Sequence, residues 1–304
     1  MNEDPASRIL LIKLGALGDF ILSFAAFSAI RRHHPRARIT LLTVPEFAEI
    51  AKKSRWFDEI WTEGSPQWWR LGDLLRLVRR LRQTGFHRVY DLEGTGRTSR
   101  YRGLVTMFRA NAAEWVGAGS TAPQHIVERQ LEQLGQAGIA NCPPPDLSWL
   151  TSGFPGRFGL KDGFILMAPG AAGDKAGEHW PTKRYSELAR RVAIEGRRPV
   201  LIGGKSEAPS NRLIAAATPE AMDLTGKLSL FDVAALATRA SVAVGDDTGS
   251  MHLIAASGCP SVVMFSHASD PARTAPRGRY VVIVREQNLA DLPLSEVAAA
   301  MRLR

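Results

Sequence analysis

The sequence predicts an α/β protein built from two successive domains, each around a mainly parallel sheet. Strand-like apolar runs alternate with helical patterns along almost the whole chain, and this alternation pauses once near the middle. The length agrees, because 304 residues are enough for two domains of about 150 residues each. Such alternation favours two Rossmann-like domains whose ligand cleft lies at the carboxyl ends of the strands.

The first half contains strand-like runs separated by helical patterns. Short, continuously apolar runs are typical of buried parallel strands, and longer runs with a period near 3.6 residues are typical of helices. The predicted strands are 8–13, 38–43, 87–91 and 113–117, and the predicted helices are 19–32, 70–83 and 123–137. This half therefore predicts one β/α domain.

Rigid and flexible residues then interrupt the pattern at Cys142-Pro-Pro-Pro145 and at Ser152-Gly-Phe-Pro-Gly156. Proline and glycine at this density are typical of a junction between domains. We expect an N-terminal domain over 1–155 and a C-terminal domain over 156–304.

The second half resumes the alternation. The predicted strands are 163–168, 198–202, 241–245, 261–265 and 280–284, and the predicted helices are 181–195, 207–217, 229–239 and 249–257. A last helical stretch follows at 295–303, and the sequence leaves open whether it crosses back onto the first domain.

The strand-to-helix junction Gly-Asp-Asp-Thr-Gly-Ser-Met-His at 245–252 is the most informative segment. A strand that ends on Gly and Asp and restarts as a helix directs free backbone N–H groups at an anion. A phosphate site is therefore predicted, although simple helix capping by Asp247 or Thr248 explains the same pattern.

A similar junction lies near the N-terminus, where a tight loop at 14–18 separates the first strand from an apolar helix. Asp19 falls at the N-cap or in the first turn of that helix. This is the carboxyl edge of the strand, where open α/β sheets bind ligands. Capping alone is again an alternative.

Four segments, taken together and in this order, closely resemble one known family. They are Leu-Ile-Lys-Leu-Gly-Ala-Leu-Gly-Asp at 11–19, Trp180-Pro181-x-x-x-Tyr185, Leu-Ile-Gly-Gly-x-x-Glu at 201–207, and Gly-Asp-Asp-Thr-Gly-x-Met-His at 245–252. The family is glycosyltransferase family 9, the ADP-heptose:lipopolysaccharide heptosyltransferases, and the resemblance runs from about residue 8 to the C-terminus. It implies a GT-B fold, with two Rossmann-like domains facing a central cleft. It also implies an inverting transfer of heptose or a related sugar from an ADP-sugar to a lipopolysaccharide-core or similar glycan or glycolipid acceptor.

Asp19 matches the family's base position, so the resemblance implies that it removes the proton of the acceptor hydroxyl. One carboxylate is enough for a single displacement with inversion. A retaining double displacement would need a second close carboxylate as nucleophile.

The resemblance also implies a donor site on the second domain. Asp247, Thr248 and Gly249 match the family's Asp-Thr-Gly, and His252 matches a histidine that faces the donor. A packed or capping histidine is an alternative for His252. As an anion, Asp247 is expected to meet sugar hydroxyls or loop N–H groups and not phosphate.

Three further positions complete the implied donor site. Glu207 matches the glutamate that binds both ribose hydroxyls, although a solvated glutamate in a first helical turn explains it equally well. Leu228 matches the position whose backbone meets adenine. Lys175 is the natural substitute for the family's phosphate-binding lysine, as a point charge displaced by a few residues.

The acceptor side is encoded more weakly. The segment Asp-Leu-Glu-Gly at 91–94 resembles the family's Asp-Leu-Gln-Gly. We take Lys13, Arg97 and Arg100 as candidate contacts for acidic sugars or lipid phosphates. A solvated basic helix face explains the two arginines equally well.

The formal net charge of +9 indicates an anionic partner. No recognition-helix, zinc-finger or stacking-platform pattern supports nucleic acid. An anionic glycolipid at a bilayer fits better, because each basic residue near such a surface contributes about 1 kcal/mol. Arginine-rich codon usage is an alternative explanation for the charge.

No metal or cofactor is expected, and the nucleotide sugar is a substrate. Asp246 and Asp247 are adjacent and do not form a D-x-D pair, and the two cysteines, Cys142 and Cys259, lack metal-site spacing. The acidic start is unlike a signal peptide, and no apolar run approaches the roughly 18 residues of a spanning helix. We expect a cytoplasmic protein in peripheral contact with the inner membrane.

Two other functional classes are alternatives to the transferase. In a nicotinamide oxidoreductase, Gly15 and Gly18 would have to belong to G-x-G-x-x-G, which they do not complete. A non-catalytic or differently specific nucleotide-sugar-binding GT-B protein remains the alternative.

Overall fold

The computed structural model describes residues 7–63, 71–106, 113–117, 123–151, 156–171 and 177–301. The chain forms two compact units. Unit 1 consists of Met1–Ala16 and Ser23–Pro145, and unit 2 consists of Leu17–Leu22 and Asp146–Arg304. The six residues Leu17–Leu22 form helix α1. The sequence predicts them as part of the N-terminal domain, whereas the structure groups them with unit 2.

The described part of unit 1 contains a five-stranded parallel sheet. Its strands are β1 Arg8–Ile12, β2 Arg38–Thr43, β3 Glu59–Thr62, β4 Arg88–Asp91 and β5 Glu114–Val116. Their order is β3-β2-β1-β4-β5, so β1 is central. Residues Ile9 to Ile12 are at most 1% exposed, as expected for a continuously apolar strand that is covered on both faces.

Helices alternate with these strands in unit 1. They are α2 Phe24–His33, α3 Ala48–Ser54, α4 Leu71–Thr84, α5 Gly96–Thr106 and α6 Ile126–Gln136, with a 3-10 turn at Pro45–Phe47. The single helix predicted over 19–32 is divided at Ser23 into α1 and α2. Helix α2 packs on α6 within unit 1.

The described part of unit 2 contains a six-stranded parallel sheet. Its strands are β6 Ile165–Ala168, β7 Pro199–Leu201, β8 Met222–Asp223, β9 Val242–Asp246, β10 Ser261–Phe265 and β11 Val281–Arg285. Their order is β11-β10-β9-β6-β7-β8. Strands β6 to β8 are therefore added toward one edge of the sheet and strands β9 to β11 toward the other, so the strand order reverses between β6 and β9. In open parallel sheets, ligands bind beyond the carboxyl ends of the strands at such a reversal.

Helices alternate with these strands in unit 2 after residue 146. They are α7 Ser148–Thr151, α8 Thr182–Ile194, α9 Ala208–Ala217, α10 Leu230–Arg239, α11 Gly249–Ala256, α12 Pro271–Thr274 and α13 Leu294–Ala300, with 3-10 turns at Gly156–Phe158 and Leu289–Asp291. Helix α13 packs against α8 and β11 of its own unit, and Val297 is fully buried in that core.

Candidate active site

The carboxyl end of β9 leads into α11 through a turn that holds three of the predicted residues. The Asp247 N–H donates to the Met264 carbonyl at 3.0 Å, which fixes the turn against β10. Thr248 is the N-cap residue, but within the described residues its side chain makes no capping hydrogen bond. Its Oγ1 is buried and has no hydrogen-bond partner there. Simple capping by Thr248 is therefore not what the structure shows.

His252 lies in the first half of α11 and is 4% exposed. Its Nε2 is 3.6 Å from Asp247 Oδ1, and its Nδ1 is buried with no hydrogen-bond partner among the described residues. Buried polar atoms are normally hydrogen-bonded in native proteins. His252 Nδ1 and Thr248 Oγ1 therefore mark positions suited to a polar ligand.

Helix α1 packs directly on α11 within unit 2. A Cβ added to Gly18 would lie 2.8 Å from the His252 ring, and one added to Gly249 would lie 2.7 Å from Leu17 Cβ. Only glycine permits approaches this close. The contact brings the first turn of α1, which contains the half-buried Asp19, to the N-terminal half of α11.

Asp246 is the last residue of β9 and is 1% exposed. Its carboxylate accepts hydrogen bonds from segments that pack next to this turn. Its Oδ1 accepts the Tyr185 hydroxyl at 2.9 Å and the Trp180 N–H at 3.4 Å. Its Oδ2 accepts the Gly170 N–H at 2.9 Å and lies 3.2 Å from His179 Nδ1. Burial, and then the Asp246 carboxylate, raise the pKa of Tyr185 well above its usual value, so the phenol stays protonated and donates.

This role of Asp246 is not predicted from the sequence, where Asp246 stands only as a neighbour of Asp247. The available indication was the co-occurrence of Trp180-Pro181-x-x-x-Tyr185 with Gly-Asp-Asp. Neither segment by itself shows that a buried carboxylate connects them.

The loop after β6 begins at Gly170, whose N–H is held by Asp246. A Cβ on Gly170 would lie 2.1 Å from His179 Nδ1, so the loop requires glycine at this position. Lys175, the predicted phosphate-binding lysine, lies outside the described residues. Its role stays a prediction.

Glu207 is the N-cap residue of α9, at the carboxyl end of β7. One carboxylate oxygen accepts the Gly204 N–H and the other accepts the Ser206 hydroxyl, both at 2.6 Å. The side chain therefore closes its own turn and is more than a solvated glutamate. Its contact with a ribose stays a prediction.

Leu228 is half-buried and directly precedes Ser229, the N-cap residue of α10. Ser229 caps that helix in a capping box with Asp232, which fixes the backbone next to Leu228. The preceding turn is tied to the turn after β7, because the Gly226 N–H donates to the Gly203 carbonyl at 2.9 Å. The structure thus brings the loops of Leu228 and Glu207 together.

Lys13, a candidate acceptor contact, directly follows β1 and is 2% exposed. Its ammonium lies 2.9 Å from Glu93 Oε2, which also accepts the N–H groups of Leu14 at 3.1 Å and Gly15 at 2.9 Å. Burial raises the pKa of Glu93, but the Lys13 charge and these hydrogen bonds outweigh it and lower that pKa. Lys13 is therefore paired within unit 1, and its contact with the acceptor stays a prediction.

Arg97 and Arg100 lie on α5 and differ in their surroundings. The Arg97 guanidinium is 2.6 Å from Glu63 Oε1 and donates to the Tyr101 hydroxyl at 2.8 Å. Arg100 is exposed. A solvated helix face therefore describes Arg100 but not Arg97, and an acceptor role for either stays a prediction.

Within the described ranges, no group of three or more His, Cys, Asp or Glu side chains could hold a metal ion. Cys142 and Cys259 are both free thiols.

Two Rossmann-like domains, each built around a parallel sheet, are the architecture of glycosyltransferases of the GT-B type. The family model of glycosyltransferase family 9 (heptosyltransferase) matches residues 121–299. Lipopolysaccharide heptosyltransferase 2 of Escherichia coli is 31% identical, over 91% of this chain and 88% of that protein. Lipopolysaccharide heptosyltransferase 1 of Pseudomonas aeruginosa is 27% identical, over 90% of this chain and 82% of that protein. The chain belongs to glycosyltransferase family 9, which confirms the resemblance found in the sequence.

Solved structures share the fold. An Escherichia coli heptosyltransferase solved with ADP has a TM-score of 0.77 at 20% identity, covering 96% of this chain and 98% of that chain. The Escherichia coli ADP-heptose lipopolysaccharide heptosyltransferase II has a TM-score of 0.73 at 20% identity, covering 97% of this chain and 98% of that chain. The predicted fold class is thereby confirmed.

Proposed function

We propose that this chain is an inverting heptosyltransferase. It transfers a heptose or related sugar from an ADP-sugar to a lipopolysaccharide-core or similar acceptor. The contact of Gly18 with the His252 ring carries the proposal, because it sets the turn of Asp19 beside the N-terminal half of α11. The relatives named above support the substrate class, as does a related structure solved with ADP-2-deoxy-2-fluoro heptose at a TM-score of 0.75.

Asp19 acts as the general base in this proposal. The acceptor hydroxyl attacks the anomeric carbon of the donor, and its proton passes to the Asp19 carboxylate. The bond between the anomeric carbon and the β-phosphate oxygen breaks, and ADP leaves with that electron pair. One displacement inverts the anomeric configuration.

The N-terminus of α11 stabilises the charge that develops on the leaving diphosphate. Free N–H groups and the positive end of the helix dipole favour an anion there, and Thr248 Oγ1 adds a hydroxyl with no partner in the described residues. We propose that Lys175 and His252 help to neutralise the same charge on the diphosphate. Asp247 is itself an anion, so we propose that it accepts hydrogen bonds from the hydroxyls of the sugar.

Glu207 and Leu228 bind the nucleoside in this proposal. The bond from Ser206 to Glu207 lies at an exposed hydroxyl, so ribose hydroxyls can replace it. The backbone at Leu228 meets adenine, where the capped start of α10 holds it in place. These contacts select the nucleotide and leave the sugar free to react.

We propose that transfer needs neither a metal ion nor a cofactor. The Asp246 carboxylate is already engaged by N–H and hydroxyl donors, so it is a poor partner for Asp247 in cation binding. Preorganised N–H groups and side-chain cations then neutralise the diphosphate without an ion.

We further propose that the protein works at the cytoplasmic face of the inner membrane. In the described part of the chain, no helix is long and apolar enough to cross a bilayer. Exposed arginines on α4 and α5, which pack together, support peripheral contact with an anionic surface: Arg76, Arg79, Arg100 and Arg102. Such a surface would also present an anionic glycolipid acceptor.

The decisive experiment incubates the purified protein with ADP-heptose and a heptose-free lipopolysaccharide-core acceptor. We expect ADP release that depends on the acceptor, a product heavier by one heptose, and inverted anomeric configuration by NMR. A panel of other nucleotide sugars, ranked by thermal shift, tests the choice of donor. Donor binding without transfer to any core acceptor would favour the non-catalytic alternative.

A further inference from the structure

Helix α1 carries Asp19 and is grouped with unit 2, while the chain on both sides of it belongs to unit 1. The residues that precede α1 are held within unit 1 by Glu93. The residue that follows it, Ser23, is held within unit 1 by Gln130. Both ends of this short helix are therefore tied by side-chain hydrogen bonds.

Glu93 reaches the preceding loop because of the way β4 ends. Strands β1 and β4 are neighbours, with Ile12 opposite Asp91. The buried Asp91 carboxylate accepts the N–H groups of Glu93 at 3.1 Å and Gly94 at 2.9 Å, which closes a turn directly after the strand. This turn directs the Glu93 carboxylate to Lys13 and to the N–H groups of the loop that leads into α1.

Helix α6 holds the other end. Gln130 is 2% exposed and donates through Nε2 to the Oγ of the fully buried Ser23 at 2.8 Å. One turn later, Gln133 is 1% exposed and donates to the carbonyls of Asp91 and Val116, both at 2.9 Å. The same helix therefore holds Ser23 and the strand end from which Glu93 extends.

These bonds matter because a helix of six residues has little stability of its own. Its position is set by its packing on α11 and by the chain at its two ends. A buried donor or acceptor that loses its partner is costly, so each bond strongly favours one arrangement. A misplacement of about 1 Å at a reacting group can cost about a hundredfold in rate.

We propose that Glu93 and Gln130 are positioning residues for the transfer reaction. By holding Gly15 and Ser23, they set α1 and hence the direction of the Asp19 carboxylate. The inference rests on the proposed role of Asp19 as the base. Neither residue is among those proposed to contact the donor or the reacting hydroxyl, so losing either bond is expected to lower kcat and to leave donor binding intact.

The test compares Glu93→Ala, Gln130→Ala and Ser23→Ala with the parent protein in the transfer assay. We expect kcat to fall by about tenfold or more, while the donor KM and the Kd for ADP change by less than about twofold. Glu93→Gln should recover part of the rate, because its amide oxygen can still accept the N–H groups of Leu14 and Gly15 although the charge that pairs with Lys13 is lost. Two matched control variants at exposed positions, Gln136→Ala on α6 and Glu220→Gln, should keep the parent kcat.

Circular dichroism and Tm establish that each variant is folded. Ser23→Ala is the smallest change, and it removes the acceptor of the Gln130 bond without removing bulk. A parent-like kcat in the folded Ser23→Ala and Glu93→Ala variants overturns the inference, as does a loss of donor affinity that parallels the loss of rate. Asp19→Asn, assayed alongside, separates the two proposals. If it stays active, the proposed base is wrong, whereas an inactive Asp19→Asn with parent-like Ser23 and Glu93 variants refutes only the positioning role.

Discussion

The Tyr185 hydroxyl donates a hydrogen bond of 2.9 Å to Asp246 Oδ1, and both side chains are buried. This bond joins the Trp-Pro-x-x-x-Tyr segment to the Gly-Asp-Asp segment, which lies 61 residues away in the sequence. Asp247 and Thr248 follow Asp246 directly. The hydrogen bond from the buried Tyr185 hydroxyl to Asp246 therefore stabilises the turn that is proposed to bind the donor. Two motifs that are separate in the sequence are therefore in direct contact in the folded protein.

Tyr185→Phe should destabilise the protein by about 1–3 kcal/mol, because it leaves a buried carboxylate with one donor fewer. It should also change the alkaline limb of the stability profile. The pKa of Tyr185 is raised in the folded state, so the folded state holds this proton more tightly than the unfolded state. The resulting stability is present below the ordinary tyrosine pKa of about 10 and is lost as pH rises above it.

Urea unfolding between about pH 8 and pH 11 checks this prediction. The free energy of unfolding of the parent should fall steeply above about pH 10, and the fall should be shallower in Tyr185→Phe. Tyr101, whose pKa is raised by burial and by Glu63, should behave in the same way. The exposed Tyr280 provides the matched control. A slope as steep in Tyr185→Phe as in Tyr280→Phe would contradict the prediction.

Asp19→Asn should lower kcat by about a hundredfold or more and leave donor affinity nearly unchanged, because the proposed base is needed only as the acceptor proton departs. Single-turnover rates and ADP titration measure the two quantities. The exposed Asp291→Asn serves as the control. Loss of donor binding in parallel with activity would instead make Asp19 a structural residue of α1.

Gly18→Ala should lower both activity and Tm, because the added Cβ would lie 2.8 Å from the buried His252 ring. Either α1 or the imidazole must then move. Gly135→Ala on α6 is the matched control, since nothing lies within 4 Å of its added Cβ. There alanine should raise stability by about 0.5–1 kcal/mol through helix propensity. Equal effects of the two substitutions would show that the α1–α11 contact is unimportant.

Thr248→Val and Lys175→Ala should each weaken ADP binding, by a few kcal/mol at most, which is the scale of hydrogen bonds to charged groups. Isothermal titration with ADP, with thermal shift as a second readout, measures the loss. The exposed Lys161→Ala is a control for the removal of one positive charge. Unchanged affinity and turnover in Lys175→Ala would show that this lysine does not bind the phosphates.

Transfer should continue in EDTA at a rate within about twofold of the untreated enzyme, because in the proposed mechanism N–H groups and side-chain cations neutralise the diphosphate. Added magnesium should stimulate only modestly, through phosphates on the acceptor. Initial rates with and without chelator, followed by readdition of magnesium or manganese, provide the measurement. A strict requirement for either ion in donor binding would refute the metal-independent mechanism.

Apolar periodicity in the sequence predicts the central strands β1, β2, β9 and β10 nearly to the residue, because strands buried on both faces are continuous apolar runs. It misses the short strands β3 and β8, which lie at the sheet edges. It also misses helix α5, in which arginines and small polar residues are interspersed and no apolar stripe is present. Membership of glycosyltransferase family 9 was also recognisable, because the four motifs of the family occur in the same order along this chain.

What the sequence determined by itself is therefore the local structure and the family, both of which depend on spacing along the chain. Only the tertiary structure decided that the apolar run 19–32 divides at Ser23, since α1 packs on α11 whereas α2 packs on α6. It likewise decided the partners of Asp246 and Glu93. A carboxylate's partners come from strands and loops far away in the sequence, and periodicity along one segment carries no information about which of them fold next to it.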